Sequence, residues 1–398
     1  MKILLSTDTY LPDINGVVTS VMSLYSELIK LGHDVRILTL SKTNDSYIDG
    51  NVYYVKSFPL GIIYPDVRAS VSILDDSLVE LIDWEPDVIH TQSEFFTYSF
   101  AKHIAKKVDC PIVHTYHTMY EHYTNYIIKN ELLGKYLVSF ASKNRLKDVD
   151  VVIAPTEKVK RKLIEYNMVS EMEVIPTGID LSKFENIDMG RVKEVRDSYP
   201  ILKDKRILLF LGRIGEEKNL DELILSFKEL SNRREDVVLV IVGGGPYIDT
   251  VRELIDSHNL NSKVLVTGMI DPKDTVLYYK MADVFVSASQ SETQGLTFVE
   301  ALANGLPEVC KYDSVLEGVI YPGKNGYLFE TPSEFSQMIS NILDDDKLFS
   351  DMKELSVETS KKFSKAKFAE NVFKVYNHTV DNYVKHDYEN EYFDLMNF

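Results

Sequence analysis

Two glutamates bracket a glycine in Ser291-Glu292-Thr293-Gln294-Gly295-Leu296-Thr297-Phe298-Val299-Glu300-Ala301. The apolar run Asp283–Ser287 precedes this segment and the periodic run Leu296–Asn304 follows, so it reads as a strand-to-helix turn. Gly295 allows the backbone to approach a ligand closely. The N–H groups of Gly295, Leu296 and Thr297 would then point at an anion, with the helix dipole behind them. Of the two carboxylates, one can grip sugar hydroxyls near a phosphate and the other ribose hydroxyls. A capped helix with two solvated glutamates fits the spacing equally well. A second stretch, Leu211-Gly212-Arg213-Ile214-Gly215-Glu216-Glu217-Lys218-Asn219, sets Arg213 and Lys218 five apart across a turn. Both can reach one anion, Arg213 as a planar fork and Lys218 as a mobile point charge. Such a pair supplies the charge that a leaving pyrophosphate needs when no metal is bound. Taken alone, that stretch reads better as a solvated loop.

Weaker signals lie elsewhere. Asp13-Ile14-Asn15-Gly16-Val17-Val18 looks like a glycine-containing phosphate turn but lacks the G-x-G-x-x-G spacing. Gly243-Gly244-Gly245-Pro246 reads as a tight connection near a nucleotide, structural rather than ligand-binding. His114, His117 and His122 fall within nine residues, yet no second cluster of Cys, His or carboxylate completes a metal shell. No metal site and no cofactor are expected. A histidine at a strand end can instead hydrogen-bond a sugar.

These residues need a frame, and the apolar pattern supplies one. Strands are expected at Lys2–Ser6, Val35–Leu40, Asn51–Val55, Asp87–His90, Pro111–His114 and Val151–Ala154, with helices at Val17–Leu31, Phe100–Val108 and Lys158–Tyr166. The second half repeats the theme. Its strands are Arg206–Leu211, Val237–Val242, Lys263–Val266 and Asp283–Ser287, and its helices Asn219–Asn232, Tyr247–His258, Thr275–Met281 and Leu296–Asn304. The alternation implies an α/β protein with parallel sheets covered on both faces. At 398 residues the chain exceeds the ~250–300 at which single cores usually divide. Pro and Gly break the pattern at Pro176–Asp180. After Phe363 the chain reads as a long aromatic-rich helical stretch that can cross back to the first domain, and the expected division is residues 1–178, residues 179–375 and a C-terminal helical segment 376–398. Two Rossmann-like, doubly wound domains would face a central cleft at the carboxyl ends of their strands.

The net charge of −17 argues against a general nucleic-acid binder. Residues 101–165 nevertheless carry 12 Lys and Arg against 7 Asp and Glu, a local net of +5. Tyr116, Tyr120, Tyr123 and Ile127 recur at helical spacing there, and Lys143, Arg145 and Lys147 follow. Aromatics flanked by cations suit a segment lying on an anionic membrane surface. Core tyrosines and solvated lysines fit the same pattern. No stretch approaches the ~20 apolar residues of a membrane span. Met1–Ser6 is too short for a signal peptide and reads as a strand, and Cys110 and Cys310 make no disulfide framework, so a reducing cytoplasm is expected.

Together these segments resemble the GT-B glycosyltransferases of the large retaining family four, over nearly the whole chain. Glu292 and Glu300 match that family's E-x7-E motif, Arg213 and Lys218 its phosphate-binding pair, Gly16 its N-terminal glycine loop and His117 its donor-sugar histidine. Met269, Gly295, Leu296 and Thr297 are counted with the donor-binding residues. The resemblance implies a nucleotide-diphosphate sugar donor and retained anomeric configuration, with His117, Arg213, Lys218 and Glu292 in catalytic roles. More narrowly, His114–Tyr126, Gly268–Ala282 and Ser287–Glu300 are similar to bacterial diacylglycerol glucosyltransferases. That implies a UDP-sugar such as UDP-glucose, a lipid acceptor, a place in glycolipid or lipoteichoic-acid anchor synthesis, and peripheral attachment to the inner face of the membrane. Tyr116, Tyr120, Tyr123, Lys143, Arg145 and Lys147 would form the acceptor and membrane side.

The same donor motifs would serve a soluble enzyme acting on a carbohydrate or polyprenyl acceptor. A non-catalytic sugar-nucleotide binder would be free to lose the four charged residues. A dehydrogenase is disfavoured because G-x-G-x-x-G is missing. One residue departs from the family pattern: Glu308, in Gly305-Leu306-Pro307-Glu308-Val309-Cys310, stands where an apolar residue is usual. An unpaired carboxylate entering a buried strand is costly, which leaves open an edge position or an unusual substitution.

Overall fold

The computed structural model describes residues 1–13, 15–59, 68–70, 72, 74–117 and 146–385. Contacts divide the chain into Met1–Gly178 together with the chain from Lys365 onward, and Ile179–Ser364. Among the described residues, the first unit holds an eight-stranded sheet in the order Glu171–Val174, Val151–Ala154, Ile112–Thr115, Val88–Thr91, Lys2–Ser6, Asp34–Leu40, Val52–Val55, Tyr47–Asp49. Neighbours run parallel except the last pair. The central strands Val88–Thr91 and Ile112–Thr115 are buried at every residue because both faces are covered. Leu4 packs with Trp84, Phe100 and Ile104 on one side, while Ile3 and Leu5 pack with Val21, Leu24 and Leu28 on the other. The helix Gly16–Lys30 starts at Asn15, whose side chain accepts from the Val18 N–H at 2.9 Å.

The second unit holds six parallel strands in the order Val264–Gly268, Val237–Val242, Arg206–Leu211, Val284–Ser287, Glu308–Lys311, Gly326–Phe329. Leu208 and Phe210 face one cluster, and Leu209 and Leu211 the other. No helix among the described residues is long and apolar enough to cross a membrane.

Two expectations are corrected here. The return to the first unit begins at Lys365, not at residue 376. One continuous helix, Lys365–Asn382, spans the expected boundary and buries Phe368, Val372 and Tyr376 on the first sheet. A cut at 375/376 would split it. Glu308 is also not at an edge. Its strand pairs on both sides, with Val284–Ser287 and with Gly326–Phe329. The outer strand comes in closely because Gly326 has no side chain: a Cβ there would lie 2.2 Å from the Glu308 carbonyl oxygen. Glu308 is 0% exposed, neither carboxyl oxygen has a hydrogen-bond partner, and burial raises its carboxyl well above the usual range.

Candidate active site

In the second unit, the loop after Val284–Ser287 runs to Gly295, the N-cap of the helix Leu296–Ala303. Gly295 has φ +73°, and a Cβ there would meet the Phe298 ring at 2.3 Å. Glycine is therefore required on both counts. Leu296 and Thr297 become the first helical turn, where N–H groups lack intrahelical partners. Glu292, back in the loop, accepts from Lys218 Nζ at 2.5 Å and from Ser289 Oγ at 2.8 Å. Lys218 lies in the turn after Arg206–Leu211, the neighbouring parallel strand, so both loops leave adjacent carboxyl ends. Ser291 Oγ joins them by donating to the Glu217 carbonyl at 2.9 Å. Arg213 donates to Glu217 Oε1 at 2.5 Å. The fold thus gathers Arg213, Glu217, Lys218 and Glu292 into one set of alternating charges.

Glu300 sits one turn into the helix and accepts from the Tyr279 hydroxyl at 2.9 Å. Burial raises its carboxyl above the usual range, against the Tyr279 hydrogen bond and the charge of Lys183. Burial, reinforced by Glu300, pushes the Tyr279 hydroxyl well up, so it remains a donor. The glycine run at 243–245 is a brace. Ile214 N–H donates to the Gly244 carbonyl at 2.9 Å and Gly243 N–H to the Gly268 carbonyl at 3.0 Å. A Cβ at Gly243 would stand 1.9 Å from the Gly212 oxygen, and one at Gly245 2.2 Å from that of Ile214. Met269 lies across Gly244 and is 84% exposed.

In the first unit, exposed Gly16 opens its helix directly after the Asn15 cap. His117 follows the strand Ile112–Thr115, and its Nε2 lies 2.6 Å from Gln92 Oε1. Burial pushes its imidazole down to about 4; Glu94 opposes that and His114 adds to it. Buried His114 places Nδ1 2.7 Å from Thr91 Oγ1 and Nε2 3.3 Å from Glu94 Oε1. Buried His90 meets the Tyr376 hydroxyl at 2.6 Å and Thr115 Oγ1 at 2.7 Å. Asp8, just past the strand Lys2–Ser6, accepts from Thr97 N–H at 2.8 Å. Its other oxygen is buried without a partner, and burial raises the carboxyl to about 6. Sequence reasoning did not select Asp8, Gln92, Glu94, Glu217 or the role of Tyr279. For the first three, the available signal was position just past the carboxyl end of a parallel strand.

Tyr116 does not lie on a membrane-facing surface. Its N–H donates to the Ile153 carbonyl at 3.0 Å, which extends the strand ladder by one residue. The period-two alternation then turns its side chain into the core with Val152 and Ala154, edge-on to His114, at 0% exposure. Tyr120, Tyr123, Lys143 and Arg145, like His122, lie outside the described residues. Lys147 is exposed.

The family model "Glycosyltransferase Family 4" matches residues 14–183, and "Glycosyl transferases group 1" matches residues 192–359. The alpha-monoglucosyldiacylglycerol synthase of Streptococcus pneumoniae is 39% identical over 83% of this chain and 75% of that protein. The enzyme of the same name from Acholeplasma laidlawii is 30% identical over 96% and 98%. Among solved structures, Anabaena HepE in complex with UDP superposes with a TM-score of 0.75 at 14% identity, covering 95% of this chain and all of that one. Sucrose-phosphate synthase from Thermosynechococcus elongatus gives 0.73 at 19%, over 96% and 99%. These last two speak for the fold alone. The chain belongs to the family-four glycosyltransferases of GT-B fold, and within them it resembles the bacterial glucosyldiacylglycerol synthases.

Proposed function

We propose that this chain moves glucose from UDP-glucose to diacylglycerol or a glycosyl-diacylglycerol, with retention at the anomeric carbon, in glycolipid or lipoteichoic-acid anchor synthesis. The observation that carries the reading is the set Arg213, Glu217, Lys218 and Glu292 beside the Gly295 helix terminus. Its two cations and the helix N–H groups match a donor diphosphate. Glu292 would hold hydroxyls of the sugar, and Glu300, fixed by Tyr279, those of the ribose. His117 would offer a neutral imidazole to the transferred sugar.

The bond from the anomeric carbon to the phosphate oxygen breaks, and its electron pair leaves with the diphosphate. The acceptor hydroxyl oxygen bonds the same face of that carbon, and its proton passes to the departing phosphate oxygen. Arg213, Lys218 and the helix terminus stabilise the charge that develops there. On this account the step needs no divalent metal. Turnover should persist in EDTA; loss in EDTA with recovery in Mg or Mn would refute that point.

The acceptor class is supported by the two synthases to which the chain is similar. A lipid acceptor brings the enzyme to the membrane surface, and the +5 segment 101–165, with exposed Lys147, suits peripheral attachment to an anionic inner leaflet. The deciding experiment supplies a panel of nucleotide sugars with diacylglycerol, monoglycosyl-diacylglycerol and soluble acceptors, and identifies the product and its anomer. An α-glucosyl lipid from UDP-glucose is the expected product. Transfer only to a carbohydrate or polyprenyl acceptor would replace this reading with the soluble one.

A further inference from the structure

His117 is held by an amide rather than by a charge. Gln92 is 2% exposed and lies between two imidazoles. Its Oε1 is 2.6 Å from His117 Nε2 and also accepts from Ser20 Oγ at 3.3 Å. Its Nε2 faces the other way, across the His90 ring, 3.0 Å from His90 Nε2 and 3.3 Å from His90 Nδ1. A carboxamide oxygen only accepts, so His117 Nε2 must carry the hydrogen. His90 has hydroxyl partners of its own, Thr115 Oγ1 2.7 Å from Nε2 and the Tyr376 oxygen 2.6 Å from Nδ1. The amide orientation therefore sets the tautomer of His117. Tyr376, from the helix Lys365–Asn382, closes the back of the chain of bonds.

We infer that Gln92 is a positioning residue that holds His117 in the Nε2–H tautomer, so that Nδ1 is the acceptor offered to a hydroxyl of the transferred sugar. The inference rests on the reading of His117 as the histidine that serves the donor sugar. An amide suits this task better than a carboxylate. The titratable groups facing His117 are Glu94 and His114, with His90 behind Gln92. An added carboxylate would favour the imidazolium, whose two N–H groups leave no acceptor for the sugar.

Nitrogen-15 NMR of the histidines in the full-length protein tests the tautomer without reference to activity. The expected signature is a neutral His117 protonated at Nε2 at pH 7; an Nδ1–H ring or a cation overturns the inference. Kinetics of Gln92→Leu, Gln92→Glu and His117→Ala test its use. Gln92→Leu should lower kcat about 10- to 100-fold while KM for the nucleotide sugar stays within about threefold. Gln92→Glu keeps an acceptor at the same place. It should recover near wild-type kcat at alkaline pH and lose it as pH falls through the raised imidazole pKa, where wild type stays flat. A wild-type pH profile in Gln92→Glu together with unchanged kcat in Gln92→Leu would sink the positioning role. Full activity in His117→Ala would instead remove the reading on which it stands. Should Gln92→Leu fail to fold, the isosteric Gln92→Glu and the NMR signature still decide.

Discussion

The carboxyl ends of the two sheets are furnished in opposite ways. In the second unit the polar groups are ions in alternation, with Lys218 19% and Glu292 16% exposed at their side chains and Arg213 41%. In the first unit they are histidine rings and the Gln92 amide, beside the carboxyls of Asp8 and Glu94. His90 and His117 are held neutral by burial, and Asp8 is raised toward neutrality. Ions already paired and partly desolvated can exchange an internal partner for a charged ligand, which suits a diphosphate. A neutral network instead determines where hydrogens sit, which suits orienting hydroxyls. Charge in one place and proton position in the other are distinct tools, and each fails in its own way.

The largest expected effect attacks the charged end. Glu292→Ala and Lys218→Ala should each lower kcat/KM by about 30- to 1000-fold, or ~2–4 kcal/mol, with unchanged circular dichroism. Because they share one hydrogen bond, the double variant should lose little more than the worse single. Multiplicative losses would show that the two act separately and break the picture of one charged set.

Next comes Glu308, the fully buried carboxyl of the second unit, neither of whose oxygens has a hydrogen-bond partner. Its pKa is raised on folding, so its stabilising contribution is complete below the unfolded-state value and disappears as pH rises through the folded one. Glu308→Leu should therefore stabilise the fold by about 1–3 kcal/mol at pH 7.5 and by much less at pH 4.5, leaving kcat unchanged. Urea unfolding at both pH values measures it. Equal gains at both would mean that the carboxyl is compensated.

Tyr279→Phe probes the uncharged support of a charged residue. It should raise KM for the donor about 5- to 10-fold through looser Glu300, with kcat within about twofold. An unchanged KM would detach Glu300 from the donor. Smallest is Lys147→Glu, which tests whether the first unit keeps its charge on the surface rather than in its cluster. Binding to vesicles of fixed anionic fraction should fall about fivefold at 0.1 M salt, near 1 kcal/mol, and the difference should shrink at 1 M. Equal binding at every anionic fraction would take Lys147 off the docking surface.

The same contrast explains what could be read beforehand. Glu292, Gly295 and Glu300 lie within one short segment, and the helix start follows from local spacing alone. Arg213 and Lys218 likewise share a turn, and the apolar runs announced both parallel sheets. The partners of His117 and His90 were not legible, because Tyr376 is 286 residues from His90 and neither carries a motif. Periodicity left Tyr116 open to a core position and the family resemblance moved it to the membrane side; the ladder bond to Ile153 places it at a strand end, facing the core. The strand Glu171–Val174 escaped because its polar residues hide the apolar pattern. For Glu308, the cost of burial was legible and the edge alternative was not decidable, because strand order is set by pairings far apart in the chain.

The split of the first unit sets an order of events during synthesis. Residues 179–364 are contiguous, so that unit has its whole sequence in hand before the chain reaches Lys365. The first sheet must wait. At ~5–20 residues per second, the 286 residues between His90 and Tyr376 take roughly 15–60 s to make. Throughout that interval one face of the older sheet lacks Phe368, Val372 and Tyr376, and His90 lacks its phenol partner. The half of the protein that is translated first is thus the half that finishes folding last, and its apolar face is the one a chaperone would meet.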